Sequence, residues 1–282
     1  MLEQGSPAFC ILGRFGDIIQ LLPAFKAIRD RTGSNPIVVS STDYVNVYDG
    51  VSYVTPFPVN GNWYGAIPFA RDLAREHFGA CICPQFWHET DRHREISREQ
   101  WEDGITVLQS HGFNWGVDMA KNPDYGSSMW WRCGFSREEM LTLPLVFDRR
   151  NVEREEALAA PFLRHKMPLL LYNFTGQSSP FAPVPEVMKV ILEFNQKFKL
   201  VDLGKIMAHR IFDLVGLFDR AAGLITIDSA TLHLAPASNV PYFAYKVGGW
   251  SSSVPKGNCR KSVFYSEAIE TLGNLREFLN SL

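Results

Sequence analysis

The sequence predicts an α/β chain made of two doubly wound parallel sheets joined by a linker. Three observations predict it. Short apolar runs of strand length alternate with helix-period stretches through both halves of the chain. The first such run ends in a glycine-rich turn, Gly13-Arg14-Phe15-Gly16-Asp17, that opens a helix. Near the other end, Arg220–Gly248 reads as strand, capped turn, helix and parallel strand, one βαβ unit.

Composition narrows the class. A chain of 282 residues, 46% hydrophobic and 21% charged, can bury one large core or two medium ones and is globular. Its formal net charge of −2, with no basic block, argues against a protein held on nucleic acid by electrostatics alone, while a local basic patch stays open. The start, MLEQGSPAFCIL, has no signal-peptide pattern, and no apolar run reaches the ~18 residues that spanning a bilayer needs. A soluble, cytoplasmic protein is expected. Five cysteines at irregular spacings read as free thiols of a reducing compartment. Cys81 and Cys83, with His88 and His93, have metal-ligand chemistry. Their one-residue spacing inside an apolar strand is not that of a zinc knuckle, so no metal site is expected.

In chain order, Ala8–Leu12 reads as a strand and Ile18–Asp30 as a helix with apolar residues at 18, 19, 21, 22, 25 and 28, Pro23 falling in its first turns. Residues 37–40 and 51–54 read as strands, 60–68 as an aromatic loop, 71–77 as a helix and 79–83 as a strand. From Pro84 the texture changes. Gln85–Arg98 mixes aromatic, His and charged residues, Ile96, Trp101, Ile105 and Leu108 mark one helix face, and residues 113–135 are rich in aromatics between Gly, Asn and Ser. Such a stretch fits either a recognition surface or packing beneath loops. The charged run 147–156 is the expected linker, with the boundary at 153/154. Beyond it come strand 168–173, a Gly/Ser/Thr/Pro loop 174–183, helix 185–198, strand 199–203, helix 209–222, strand 224–227, helix 230–238, strand 240–245, strand 262–265 and helix 267–282.

Two loops leave strand C-terminal ends in the second half. One carries Thr175, Gly176, Ser178 and Ser179, the other Asp228, Ser229, Ala230 and Thr231. Ligands of open α/β sheets bind at that edge, and free N–H groups at a helix start suit a phosphate. His233, a little over one turn into the helix, adds a donor for the same anion. The same residues also fit a capped helix with a His on its buried face. Asp17 likewise fits either a site residue or a helix cap. No P-loop, Gly-x-Ser-x-Gly elbow or Gly-x-Gly-x-x-Gly turn is present, which turns the sequence away from P-loop ATPases, α/β-hydrolases and dinucleotide oxidoreductases.

Leu12–Ile28 (LGRFGDIIQLLPAFKAI) resembles the N-terminal signature of the heptosyltransferase-like glycosyltransferase family 9, a Gly-Asp pair followed by Leu-Pro-Ala. Ala221–Gly249 resembles that family's C-terminal signature, standing here as Asp228-Ser229-Ala230-Thr231-Leu232-His233-Leu234-Ala235-Pro236-Ala237. The resemblance covers most of residues 157–282 in layout and about the first thirty residues. It departs in Ala230, where the family has Gly, in Pro236, which shortens or kinks the helix, and in a loop after Asn173 without Lys or Trp.

The resemblance implies the GT-B architecture, two Rossmann-like domains facing across a cleft: residues 1–153 on the acceptor side and 154–282 holding a nucleoside-diphosphate sugar. It implies a hexosyl- or heptosyl-type transferase that needs no metal or other cofactor. Asp17 would be the general base and His233 would stabilise the leaving group. Thr175, Gly176, Ser178, Asp228, Ser229, Ala230 and Thr231 would hold the donor phosphates. Gly13, Arg14, Gly16, Trp87 and Arg92 are the acceptor-side candidates, the last two from the unfamiliar block, whose Arg94, Arg98 and Arg132 also suit an anionic acceptor. A glycan or lipopolysaccharide-like acceptor leads, compatible with work at the surface of the inner membrane. A modified DNA base as acceptor, and a nucleotide-sugar-binding protein without transfer, are the alternatives.

Overall fold

Among the described residues, nine strands form two all-parallel sheets, each within its own part of the chain. A computed structural model describes residues 8–60, 72–74, 76–78, 81–84, 124–164, 166–176, 179–248 and 253–282. The first sheet holds β1 (Ala8–Ile11), β2 (Ile37–Ser41), β3 (Thr55–Val59) and β4 (Cys81–Ile82) in the order β3-β2-β1-β4. The second holds β5 (Leu169–Asn173), β6 (Lys199–Asp202), β7 (Ala221–Thr226), β8 (Tyr242–Lys246) and β9 (Cys259–Phe264) in the order β6-β5-β7-β8-β9. Both are Rossmann-type orders, in which the first strand lies inside the sheet and the chain reverses direction of winding beside it. That reversal falls between β1 and β4 in one sheet and between β5 and β7 in the other.

The chain divides between Arg149 and Arg150, earlier than the boundary expected from composition. Hydrogen bonds explain the position. The Asp148 carboxylate accepts from the Ser52 N–H at 2.8 Å, and the Arg149 N–H donates to the Gly50 carbonyl at 3.0 Å, both within the first unit. The Arg150 guanidinium belongs to the second: it donates to buried Glu155 at 2.8 and 2.5 Å and to Asp219 at 2.6 Å. A long run of charge reads as linker in sequence, but half-buried Arg150 pairs with the buried Glu155 of α4 (Val152–Leu163).

In the first unit, α1 (Phe15–Thr32) buries Ile18, Ile19, Leu21, Leu22, Phe25 and Ile28 on its sheet-facing side. It starts earlier than its apolar stripe indicates, so Pro23 stands in its interior. The strand expected at 51–54 is displaced to Thr55–Val59, a segment with prolines at 56 and 58. It is an edge strand, where a residue without an N–H is tolerated on the outward side. Residues 72–74 and 76–78 are helical, as the pattern predicts. α2 (Tyr125–Arg132) and α3 (Arg137–Thr142) close the unit. Trp130, Trp131 and Phe135 are buried there, and the Trp130 indole N–H donates to the Gln20 carbonyl at 2.9 Å. These aromatics are core and not a recognition surface.

In the second unit, Leu170, Ile225, Phe243 and Tyr245 pack with Val187, Val190 and Ile191 of α5 (Val184–Leu192) and with Leu275, Phe278 and Leu279 of the C-terminal helix. Where one helix is expected over 209–222, the chain makes a 3₁₀ turn (Ile211–Leu214) and the short α6 (Val215–Phe218), and β7 already begins at Ala221. The helix after β7 is α7 (Ala230–Leu234), passing into a 3₁₀ turn at Ala235–Ala237. Pro236 has no N–H to bond a carbonyl four residues back, which ends the α-helix there. The C-terminal helix, α8, spans Leu272–Ser281. All five cysteines are free thiols. Among the described residues no helix is long and apolar enough to cross a membrane.

Candidate functional site

β5 and β7 are hydrogen-bonded neighbours, and their last residues, Asn173 and Thr226, lie side by side in register. Both loops singled out in the sequence start from this point, the edge where the winding reverses. Buried Asn173 joins them. Its side-chain amide donates to the Ser229 Oγ at 3.1 Å, the Thr231 Oγ1 at 3.0 Å and the Thr175 carbonyl at 3.3 Å. Its side-chain oxygen accepts from the Thr175 N–H at 3.1 Å. Thr231 also bonds the hydroxyls of Thr226 at 2.6 Å and Ser229 at 2.9 Å. A strand ending in Asn therefore fixes both loops through one carboxamide.

This network spends the Ser229 and Thr231 hydroxyls internally. Ser229 is the residue before α7, in extended backbone, yet its side chain makes no cap, and its hydroxyl donates to the Ile227 carbonyl at 3.3 Å. Asp228 does not cap the helix either, since its carboxylate accepts from Ser253. The Ser253 Oγ donates to Oδ1 at 2.6 Å and the Ser253 N–H to Oδ2 at 3.2 Å. The capping expected of both residues is thus not made. No hydrogen bond among the described residues takes the N–H of Ala230 or Thr231. What the turn presents is amide N–H, the group that suits an anion.

Thr175 is exposed on the neighbouring loop. Gly176 is needed for close approach: a Cβ there would lie 3.0 Å from Ile227 Cδ1 and 3.2 Å from the Ser179 carbonyl. Gly204, after β6, sits against Thr175, where a Cβ would lie 2.5 Å from Thr175 Oγ1. Tyr265 ties the other side. Its hydroxyl accepts from the Asp228 N–H at 3.2 Å and donates to the Ser179 carbonyl at 3.3 Å.

His233 lies 3.3 Å through Nε2 from the Ser253 Oγ. Desolvation pushes its pKa down to about 4, with Asp228 raising it and Lys256 lowering it further. The ring is therefore neutral near pH 7, not the charged donor that an anion partner suggests.

On the first unit, Gly13 and Arg14 form the turn after β1, and Arg14 precedes α1 in extended backbone. Asp17 is half-buried in the first helical turn, and its Oδ2 accepts from the Arg14 N–H at 3.1 Å. It makes the capping contact that its position allows. Gly16 lies between Phe15, which meets Tyr44 edge-on at 5.0 Å, and Asp17. Neither Gly13 nor Gly16 takes a positive φ, so the left-handed region is not what either position requires. Half-buried Arg132 donates through one guanidinium nitrogen to the Pro84 carbonyl at 3.2 Å, and desolvation lowers its pKa. Ser178, Trp87, Arg92, Arg94, Arg98, His88 and His93 lie outside the described residues. Among the described residues no group of three or more His, Cys, Asp or Glu side chains is placed to hold a metal.

Asn173, Thr226, Ser253 and Tyr265 bond the residues of these loops, and the sequence alone does not single them out. Asn173 has one legible signal, a polar residue closing the apolar run PLLLYN. Ser253, in a run of serines, has none.

No protein-family model and no curated protein matches the chain. Solved structures do. E. coli ADP-heptose lipopolysaccharide heptosyltransferase II superposes with a TM-score of 0.60 at 11% identity, covering 98% of both chains. The glycosyltransferase family 9 protein from Veillonella parvula DSM 2008 gives 0.54 at 13% identity, covering 98% of this chain and 91% of that one. E. coli heptosyltransferase WaaC with ADP gives 0.55 at 12%, covering 98% and 99%. The chain thus has the GT-B glycosyltransferase fold, in the form shared with glycosyltransferase family 9 and heptosyltransferase structures.

Proposed function

We propose that the protein is a glycosyltransferase that moves a sugar from a nucleoside diphosphate to an acceptor hydroxyl. The observation that carries this reading is the pair of loops that Asn173 joins at the β5–β7 switch point, with N–H groups of Ala230 and Thr231 and the Thr175 hydroxyl at one strand edge. N–H groups there would hold the diphosphate and stabilise the charge it gains as the sugar–phosphate bond breaks. Two similar structures support the class of donor, since one is named an ADP-heptose transferase and another was determined with ADP. Asp17, at the corresponding strand edge of the first unit, is the proposed base: its carboxylate takes the acceptor hydroxyl's proton as the oxygen attacks the anomeric carbon. A glycan or lipopolysaccharide-like acceptor, cytoplasmic location and independence of metal are parts of the same proposal.

A second reading, a nucleotide-sugar binder without transfer, is favoured by one observation: the Asp17 carboxylate already accepts from the Arg14 N–H as a cap does. Asp17→Asn separates the two, because the asparagine side-chain oxygen still accepts from the Arg14 N–H but takes up no proton. Thermal unfolding with a panel of nucleoside diphosphates and their sugars comes first. A ligand at ~100 times its Kd adds about 2.7 kcal/mol, a shift of several degrees. One preferred nucleotide is expected, followed by transfer to a glycan panel (with modified DNA included) that persists in EDTA. Turnover in Asp17→Asn is expected to fall about 10²- to 10⁴-fold with nucleotide binding retained. Unchanged turnover makes Asp17 a cap only, and no stabilisation by any nucleotide rejects the transferase.

A further inference from the structure

Asp228, Ser253 and His233 form a chain of hydrogen bonds whose proton order follows from counting donors. The Ser253 Oγ lies 2.6 Å from Asp228 Oδ1 and 3.3 Å from His233 Nε2, and the Ser253 N–H meets Asp228 Oδ2 at 3.2 Å. An ionised carboxylate only accepts, so the one hydroxyl proton of Ser253 points to Asp228. A lone pair of Ser253 then faces Nε2, and a hydrogen bond there needs the proton on Nε2. A neutral imidazole carries a single ring proton, so Nδ1 is left bare. The charged groups that face the ring are Asp228 and Lys256. Asp228 reaches Nε2 through Ser253, and the Lys256 charge disfavours a second proton on the ring. Among the described residues Nδ1 makes no hydrogen bond.

We propose that Ser253 is a positioning residue: it links the His233 Nε2 proton to the Asp228 carboxylate, fixes one neutral tautomer, and so makes His233 an acceptor, through Nδ1, for a ligand hydroxyl and not a donor to the diphosphate. This rests on the nucleotide-sugar reading for its ligand, but the tautomer belongs to the free protein. The hydroxyl in question is one of the sugar or ribose. Loss of Ser253 frees the ring to take either tautomer, and the hydrogen-bond sense of Nδ1 is then no longer set.

Long-range ¹H–¹⁵N spectra of the ligand-free, ¹⁵N-labelled full chain test this directly, with His233→Gln identifying the His233 signals among the seven histidines. Near neutral pH the wild type is expected to show Nδ1 unprotonated and Nε2 protonated. In Ser253→Ala the two ring signals should move toward each other as both tautomers populate, and Ser253→Thr, which keeps the hydroxyl, should restore them. A merely structural role for Ser253 would change melting without moving the tautomer. Wild-type Nδ1–H, or an unchanged tautomer in a folded Ser253→Ala, overturns the proposal. With the nucleoside diphosphate that stabilises the protein in the panel, Nδ1 should stay unprotonated, and a doubly protonated ring would overturn the acceptor role. A panel without any stabilising nucleotide, beside the expected tautomer, would reject the function and leave the positioning role standing.

Discussion

Burial of the His233 ring sets a pH dependence with a definite sign. The ordinary histidine value is about 6.5 and the folded value about 4, so between these the unfolded chain takes up a proton that the folded chain refuses. Stability therefore rises with pH through that window, is fully present above about 6.5 and is lost as pH falls toward about 4. The contribution is at most about 3 kcal/mol, less what residual solvent access returns. The melting temperature of the wild type should fall between pH 6.5 and 4, and His233→Gln should flatten that fall. Parallel curves for the two proteins would show that His233 does not carry it. The position of His233 beyond Asp228 is legible in the sequence, because spacing alone places it one turn into a helix. Its charge is not. That depends on the ring's surroundings, and on Ser253, which is twenty residues away and reached only by folding.

At the level of elements, the loops after β5, β6 and β7 act as one unit, and Gly204 is where this can be probed. An added methyl there would lie 2.5 Å from Thr175 Oγ1 and 3.2 Å from Asp202 Oδ1. The exposed Thr175 hydroxyl can turn away, while Thr175 Cβ, 3.3 Å from the new methyl, must give by a few tenths of an ångström, so Gly204→Ala is expected to leave stability within about 1 kcal/mol while removing the proposed ligand hydrogen bond. A loss of that size weakens nucleotide binding by about two- to tenfold. Gly273→Ala in α8, with nothing within 4 Å of the new methyl, is the control and should leave binding unchanged. Calorimetric titration of both variants decides it, and equal affinities would detach Gly204 from the site. The same scale shows which elements sequence periodicity reveals. Strands buried on both faces, such as β1 and β5, are plain as apolar runs. β3 is hidden because its prolines read as breakers and only its edge position makes them tolerable. The helix expected over 209–222 has the right apolar spacing but is cut into two short turns, since β7 begins at Ala221.

For the molecule as a whole, fold and site separate in how they can be read. Strand and helix alternation survives at 11–13% identity over 98% of the chain, because many apolar sequences satisfy one pattern of buried strands and amphipathic helices. Chemistry at the strand ends depends on single side chains, and there the sequence shows the second unit's turn, Asp228 to His233, more fully than the carboxamide beneath it. This division predicts where a donor leaves its mark. If the switch point of the second sheet holds the nucleotide, saturating nucleoside diphosphate should slow amide exchange in peptides spanning 173–176 and 226–233, whose N–H groups line that edge. Peptides covering 9–41, the first two strands and α1 of the other unit, should exchange at their free-protein rate with the nucleotide alone. An acceptor added afterwards should protect the first turn of α1, around Asp17. Protection appearing first around Asp17, with the 226–233 peptides unmoved, would exchange the roles of the two units and with them the proposed places of base and leaving group.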